Sequence, residues 1–324
     1  MTPAPRKLLI DTDTASDDAV ALIMALRSPA VSVEAITIVA GNVPLRQGVS
    51  NALYTVELCH AKVPVYAGAE VPLHRPLEVA DWFHGKDGLG DHGYRPAHPV
   101  EQKIDAIEAI VATARANPGL EIVTLGPLTN LALALEREPS LPELVSRCVV
   151  MGGAPCCEGN VTPAAEFNLW VDPEAARRVF LSKLKLELVG WQLSRFDAVL
   201  SENDIAEIAA LNTALGNFSL ECNSTAKAAY FTQTGEHGIS LPDPIAMALL
   251  LQPELSLEAT DHYTQIEARS ELTRGMSLVD RLNVSGDERN AAMWAETREN
   301  AVPTKIHWAM DVPGWKQLLI ESLR

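Results

Sequence analysis

Leu8-Leu9-Ile10-Asp11-Thr12-Asp13-Thr14-Ala15-Ser16-Asp17-Asp18-Ala19-Val20-Ala21-Leu22-Ile23-Met24-Ala25-Leu26, residues 8–26, is the stretch on which the fold turns. Lys7–Ile10 reads as a strand that runs into aspartates. Ala19–Leu26 is apolar on every side, so it reads as a helix buried all round rather than one with a wet face. A strand, an acidic turn and a buried helix together open a βαβ unit.

The same alternation continues outward. Val33–Ala40 is β-branched and apolar and ends at Gly41-Asn42, and Val63–Tyr66 is a further short strand candidate. Lys103–Ala116 carries Ile104, Ile107, Val111 and Ala114 at helical spacing and stops at Asn117-Pro118-Gly119, a helix-ending signal. Leu120–Leu125 and Cys148–Met151 read as strands ending at Gly126-Pro127 and Gly152-Gly153, with an Ala/Leu-rich helix between them. Asp172-Pro173 starts a helix with an acidic cap and a proline in the first turn, and Leu184–Val189 is a strand. Beyond Glu202 the pattern is mostly helical to about Leu251; strands return at Thr264–Ala268 and Thr304–Met310, and Trp315–Leu323 closes the chain as a helix.

Short strands apolar on both faces, separated by helices, predict right-handed crossovers and a parallel sheet covered on both sides. The expected fold class is therefore α/β: a Rossmann-like, mostly parallel open sheet flanked by helices, with a more helical C-terminal third. No linker or repeat interrupts residues 1–324, so one domain is expected. In such sheets ligands sit outside the carboxyl ends of the strands. Asp11, Asp13, Asn42, Leu125-Gly126 and Met151-Gly152 all fall at such ends, which gathers them at one rim.

The 324 residues are 47% hydrophobic, ample for a large core. The net charge of -16 argues against nucleic acid or an anionic membrane as partner, since both attract Lys/Arg surplus. Cys59, Cys148, Cys156, Cys157 and Cys222 are odd in number and form no CxxC pair, which fits reduced thiols in a cytoplasmic protein. The N-terminus has no apolar region of signal-peptide type, and the longest apolar run, Ala19–Leu26, is too short to span a bilayer.

Asp11, Asp13, Asp17 and Asp18 lie within eight residues. Helix capping explains one or two acidic residues at a helix start, not four. Carboxylates so crowded need protons or a cation, and an all-oxygen set suits Ca²⁺ or Mg²⁺.

Leu8–Thr14 fits two families. It is similar to the strand-end Asp-x-Asp-x-Thr of haloacid-dehalogenase-type phosphohydrolases, in which Asp11 would be a nucleophile beside Mg²⁺. Asp17-Asp18-Ala19-Val20-Ala21 instead resembles the nucleoside hydrolases, and further matches follow in order: Val39-Ala40-Gly41-Asn42, His84-Gly85-Lys86-Asp87-Gly88-Leu89-Gly90, Leu125-Gly126-Pro127-Leu128-Thr129-Asn130-Leu131, Met151-Gly152-Gly153, Asn160, Glu166-Phe167-Asn168, Asp172-Pro173-Glu174-Ala175-Ala176 and Asp243-Pro244. The resemblance spans residue 7 to about 251.

It implies hydrolysis of the N-glycosidic bond of ribonucleosides and a Ca²⁺ cofactor held by Asp13, Asp18, Asp243 and the carbonyl of Leu125, with Asp11 supporting Asp13. Asp17, Asn42, Asn160, Glu166 and Asn168 would hold the ribose hydroxyls, Met151 would line the sugar pocket and His84 would lie nearer the base. Asp13 would take the proton of the attacking water. A homodimer or homotetramer is implied as well. Taken singly, each residue also has an ordinary role: Asn42 and Asn160 as turn or loop residues, Asp243 as a helix cap, Glu166 and Asn168 as strand-like alternation, His84 as an exposed loop residue.

The chain departs from the family pattern twice. Thr14-Ala15 stands where Pro-Gly is usual, and Pro242 stands where many members carry a histidine able to protonate the departing base. The substitute acid is then sought among His84, His237, Trp82 and Tyr230. A third expectation, motivated by Pro242, is a nucleoside-binding protein with weak catalysis.

Overall fold

The computed structural model describes residues 4–99, 102 and 104–324. The strands are β1 (Arg6–Thr12), β2 (Val31–Ile38), β3 (Val65–Ala67), β4 (Leu120–Thr124), β5 (Val145–Met151), β6 (Leu186–Val189), β7 (Ser256–His262), β8 (Thr264–Ile266), β9 (Ser277–Val279) and β10 (Thr304–Met310). Eight of them form one sheet in the order β3-β2-β1-β4-β5-β6-β10-β7. All neighbours are parallel except β10 and β7, and β8 and β9 make a separate antiparallel pair. The helices are α1 (Ser16–Arg27), α2 (Leu45–Leu58), α3 (Asp81–His84), α4 (Ala106–Ala116), α5 (Thr129–Arg137), α6 (Leu141–Leu144), α7 (Phe167–Val171), α8 (Pro173–Phe180), α9 (Glu202–Ala210), α10 (Ala214–Cys222), α11 (Ser224–Thr234), α12 (Pro242–Leu251), α13 (Ala291–Asn300) and α14 (Val312–Ser322).

Alternate residues of β1 go to opposite faces of the sheet, as the pleat requires. Leu8 and Ile10 enter one apolar cluster with α1, α2 and α12; Leu9 enters the other with α4, α5 and α8. Helix α1 is buried from Ser16 to Ala25, and α12 from Asp243 to Leu251. These two helices are packed together, which explains why neither has a polar face.

The strand order reverses between β1 and β4, where successive crossovers go to opposite sides. That reversal opens a crevice beyond the carboxyl ends of the strands. The aspartate turn after β1 and Leu125 after β4 sit at its two lips, and Asp11 pairs in register with Thr37 of β2 and Thr124 of β4.

The expected α/β class holds, with local differences. Helix α4 starts at Ala106 rather than Lys103, and Lys103 lies outside the described residues. Strand β7 was not expected: Leu257–Asp261 is exposed because β7 is an edge strand, so it lacks the apolar alternation that marks a buried one. Glu166-Phe167-Asn168 is not strand-like; Glu166 caps α7, its carboxylate accepting the amides of Asn168 and Leu169.

Glu187 of β6 is buried and ringed by donors. Its carboxylate accepts from Arg147 (2.8 Å), Lys305 (3.0 Å) and His307 (3.2 Å), stitching β5, β6 and β10 together. Burial penalises its charge, but the bonds from His307 and Arg147, and then Lys305, outweigh that and hold the carboxyl well below its ordinary range. A carboxyl whose pKa falls on folding stabilises the fold above its unfolded value and loses that contribution as pH drops. Wild-type protein should therefore lose thermal stability steeply below about pH 4.5, the ordinary glutamate value. Glu187→Gln should melt lower at neutral pH and show a flatter acid limb; parallel melting-temperature profiles for the two proteins from pH 7 to 3 would show that Glu187 is not responsible.

Candidate active site

The site is built on the turn from β1 into α1. Asp18, on the first turn of α1, folds back: its carboxylate accepts the Ala15 amide at 2.9 Å and the Thr12 hydroxyl at 2.5 Å. That is the capping role, and only Asp18 among the four aspartates takes it. Asp13 is held from β2, with Oδ2 accepting the Asn42 amide at 2.5 Å, while its Oδ1 is buried without a partner. Asp11 lies below, its Oδ1 accepting from Thr37 (2.6 Å) and Asn130 (2.8 Å).

Glycine is required where the neighbouring loops close on Asp13. A Cβ on Gly41 would stand 2.1 Å from Asp13 Oδ2, and one on Gly126 2.9 Å from Asp13 Cγ. Gly41-Asn42 and Leu125-Gly126 are therefore the lips of a cradle with no room for a side chain.

From the far side of the crevice α12 brings Asp243. It is the second residue of the helix, whose cap position is Leu241, so Asp243 is not the cap. Asp17, Asp18 and Asp243 each present a carboxylate oxygen within 4.8 Å of the other two, all three buried. Asp17 Oδ1 has no hydrogen-bond partner. Burial lifts Asp17 and Asp18 to about 6, Asp18 further pressed by the charge of Asp17. Asp13 and Asp243 are raised well above the usual aspartate range, by burial first and then by neighbouring aspartates. Crowded, buried, incompletely paired oxygens of this kind fit a hard divalent cation.

A pocket opens over this cluster, enclosing about 600 Å³ of space that includes its mouth. Asp17, Asn42, His84, Leu125, Met151, Asn160, Glu166, Asn168 and Asp243 all line it, while Asp13 and Asp18 lie in the floor, fully buried. Asn168 Nδ2 donates to the Leu125 carbonyl (2.9 Å) and the Met151 carbonyl (3.3 Å), tying the ends of β4 and β5. Glu166 Oε2 accepts the Gly153 amide at 2.7 Å, and burial raises its carboxyl to about 7 against those amide bonds. Asn160 Oδ1 accepts the Phe167 amide at 2.9 Å. His84 is buried, not an exposed loop residue: Nδ1 lies 2.8 Å from Ser16 Oγ, and burial pushes the ring down to about 4.

The remaining sequence expectations need correction. His237 is exposed and stacked on Phe231, ring centroids 4.3 Å apart, and does not line the pocket. Tyr230 is buried and donates its hydroxyl to Glu236, away from the pocket. Among the substitutes for a histidine at Pro242, His84 and Trp82 remain. Asp11, the nucleophile of the phosphohydrolase alternative, takes both its donors on Oδ1, leaves Oδ2 buried without a partner, and is not among the residues lining the pocket.

Trp191, Gln233, Ser240, Phe83 and Phe167 line the pocket without having been singled out. Trp191 had a usable signal, since it follows β6 at the same rim. Gln233 had none: it sits near the end of α11 and reaches the pocket because α11 packs beside α3.

The sequence pattern of the family described as "Inosine-uridine preferring nucleoside hydrolase" matches residues 8–304. The chain belongs to this family. It is an N-glycosidase of ribonucleosides, not a phosphohydrolase or a mere binding protein. A pyrimidine-specific ribonucleoside hydrolase RihA of Shewanella baltica is 36% identical over 322 residues, covering 98% of this chain and 96% of the relative. The structure of a plant nucleoside hydrolase, PpNRh1, superposes with a TM-score of 0.90 at 29% identity, over 98% of this chain and 99% of that one. A purine-preferring ribonucleoside hydrolase from Gardnerella vaginalis gives 0.86 at 28% identity, over 98% of both chains.

Gly41→Ala tests the cradle. Intruding on Asp13 should cost about 1–3 kcal/mol of stability and about a hundredfold in kcat, the scale of a misplacement of about 1 Å felt at the chemistry. Thermal melts and steady-state kinetics check this; wild-type turnover in a folded variant would show that Gly41 does not set the position of Asp13.

Proposed function

We propose that the enzyme hydrolyses ribonucleosides to ribose and free base with Ca²⁺ as its resident ion and Asp13 as the proton acceptor. The observation that carries this reading is the buried trio Asp17, Asp18 and Asp243, with one oxygen of each within 4.8 Å of the others, beside the unpartnered Oδ1 of Asp13. Asp13, Asp18, Asp243 and the Leu125 carbonyl are the ligand set. Asp17 is in the same cluster and lines the pocket, as Asp243 and Leu125 also do; its unpartnered Oδ1 is the oxygen assigned to a ribose hydroxyl. Bound there, Ca²⁺ supplies charge compensation, loose oxygen coordination open to a diol, and a lowered pKa for associated water.

The chain's own residues do the rest. Asp13 keeps Oδ2 on the Asn42 amide and uses Oδ1 to accept the proton of the attacking water. Asn42, Asn160, Glu166 and Asn168 hold the ribose hydroxyls; since the carboxylate of Glu166 and the amide of Asn168 are themselves hydrogen-bonded, they are pre-set in orientation. Met151 packs against the sugar. The surrounding carboxylates stabilise the positive charge that builds on the ribose as the C1′–N bond breaks. A deoxyribose leaves buried polar groups without partners, so ribose is strongly preferred.

A panel of ribonucleosides assayed for reducing sugar, with and without a Ca²⁺-selective chelator, tests the reading directly. Chelation should abolish turnover and lower the melting temperature, because a ligand bound only by the folded chain stabilises it. Full activity in protein free of metal by elemental analysis would exclude the ion.

Asp13→Asn removes the proton acceptor while keeping the shape. Turnover should fall by about two to four powers of ten in protein that elemental analysis shows to retain its metal, since Asp13 is also in the ligand set. Near-wild-type turnover would move the base to another residue.

A further inference from the structure

Pro242 has no proton to give, so the departing base must be met by another group. His84 lines the pocket, yet burial keeps its ring from charging, so it cannot serve as a standing imidazolium. A neutral imidazole still carries one N–H, and which nitrogen bears it is decided by the bond the other makes.

Ser16 Oγ lies 2.8 Å from His84 Nδ1, both side chains buried. Two arrangements satisfy that distance. If Nδ1–H donated to Ser16 Oγ, the serine hydroxyl would need another acceptor, and among the described residues it makes no other side-chain hydrogen bond. A buried hydroxyl without an acceptor is unfavourable. If Ser16 donates to Nδ1, both groups are satisfied by one bond and the ring proton resides on Nε2. The other groups facing the ring do not change this: Asp17 Oδ1 is 3.8 Å from Nδ1, beyond hydrogen-bond range, and the Phe83 ring meets His84 edge-on at 4.9 Å. With Nδ1 turned to the start of α1, Nε2 is the nitrogen left for the pocket.

We propose that Ser16 is a positioning residue for leaving-group departure: by donating to Nδ1 it locks His84 as the Nε2–H tautomer, whose N–H donates to the base as it leaves. The bookkeeping is simple. The C1′–N bond breaks and its electron pair goes to the base; the water oxygen bonds to C1′ and its proton goes to Asp13. Charge delocalised onto an acceptor atom of the base is met by the Nε2–H hydrogen bond. The proposal rests on the hydrolase reading and on His84 lying at the base end of the pocket. It assigns a task to a hydroxyl on the aspartate turn, so the segment that supplies the cation ligands also orients the group that faces the opposite product.

The test uses Ca²⁺-loaded enzyme and three substrates: uridine and inosine, whose bases are poor leaving groups, and p-nitrophenyl riboside, whose phenolate leaves readily. Ser16→Ala should lower kcat for uridine and inosine about a hundredfold more than for p-nitrophenyl riboside, the lower end of the cost of losing one aligned donor. Ser16→Thr, which keeps the hydroxyl, should restore the ratio. Two-bond ¹⁵N–¹H spectra of histidine-labelled protein, with His84 assigned by its loss in His84→Gln, should show the Nε2–H tautomer in wild type and a tautomer mixture in Ser16→Ala. An Nδ1–H tautomer in wild type, or equal losses on all three substrates in Ser16→Ala with Ca²⁺ content retained, would overturn the proposal. Chelator-insensitive turnover of all three substrates by wild type would instead overturn the calcium reading and leave the Ser16 ratio interpretable.

Discussion

Asp13, Asp17, Asp18 and Asp243 are buried together with no lysine or arginine among the residues lining the pocket above them. Placing like charges in a low-dielectric interior is strongly unfavourable unless they take protons or share a cation, and most of the surrounding architecture follows from that constraint. The α1 N-terminus points its free amides at the cluster, and its aligned peptide dipoles favour negative charge there. Asn42 contributes a backbone amide to Asp13, and Ala15 and Thr12 contribute donors to Asp18. Each donor offsets part of the burial cost, and none removes it: the carboxyls stay raised.

The constraint also explains why α1 and α12 are apolar throughout. Both helices deliver an acidic residue near their first turn to the same point, so both must pass through the interior. At the crevice of the β1/β4 reversal a strand end, two helix starts and two glycine-lipped loops converge. A polar face on either helix would pull it toward solvent and take the carboxylate with it.

Much of this was legible in the chain before any coordinates. Asp11, Asp13, Asn42, Leu125 and Met151 are read from a rule about strand ends, which needs only strand boundaries, and Asp17 and Asp18 from the crowding of carboxylates. Asp243, Glu166 and Asn168 lie outside that rule and came from family resemblance. What sequence reasoning missed depends on side-chain direction and on packing between elements distant in sequence. His237 sits in a glycine-flanked segment that suggests a mobile loop, but its ring turns to Phe231 instead. Gln233 is an ordinary helical glutamine until α11 is packed against α3. Edge strand β7 lacks the apolar pattern that a two-sided burial imposes on β1, β4 and β5.

The two ends of the pocket differ in kind. In the proposed reading the ribose meets charged and amide groups fixed by backbone bonds, as Glu166 is by Gly153 and Asn168 by Leu125 and Met151. At the other end stand Trp82, Phe83, Trp191 and Pro242, with few fixed polar atoms besides Gln233 and His84. Rigid polar groups discriminate sharply because a missing hydroxyl strands them, whereas an apolar wall distinguishes one ring from another weakly. On that reading the fixed polar groups discriminate the sugar sharply, and the base is distinguished by few side chains. Relatives of this fold are named for different bases, one as pyrimidine-specific and another as purine-preferring. Base choice must then rest on few side chains, and the neutral His84 proposed above would offer a single directional hydrogen bond without adding another buried charge to a site that already holds the carboxylates of Asp13, Asp17, Asp18, Glu166 and Asp243.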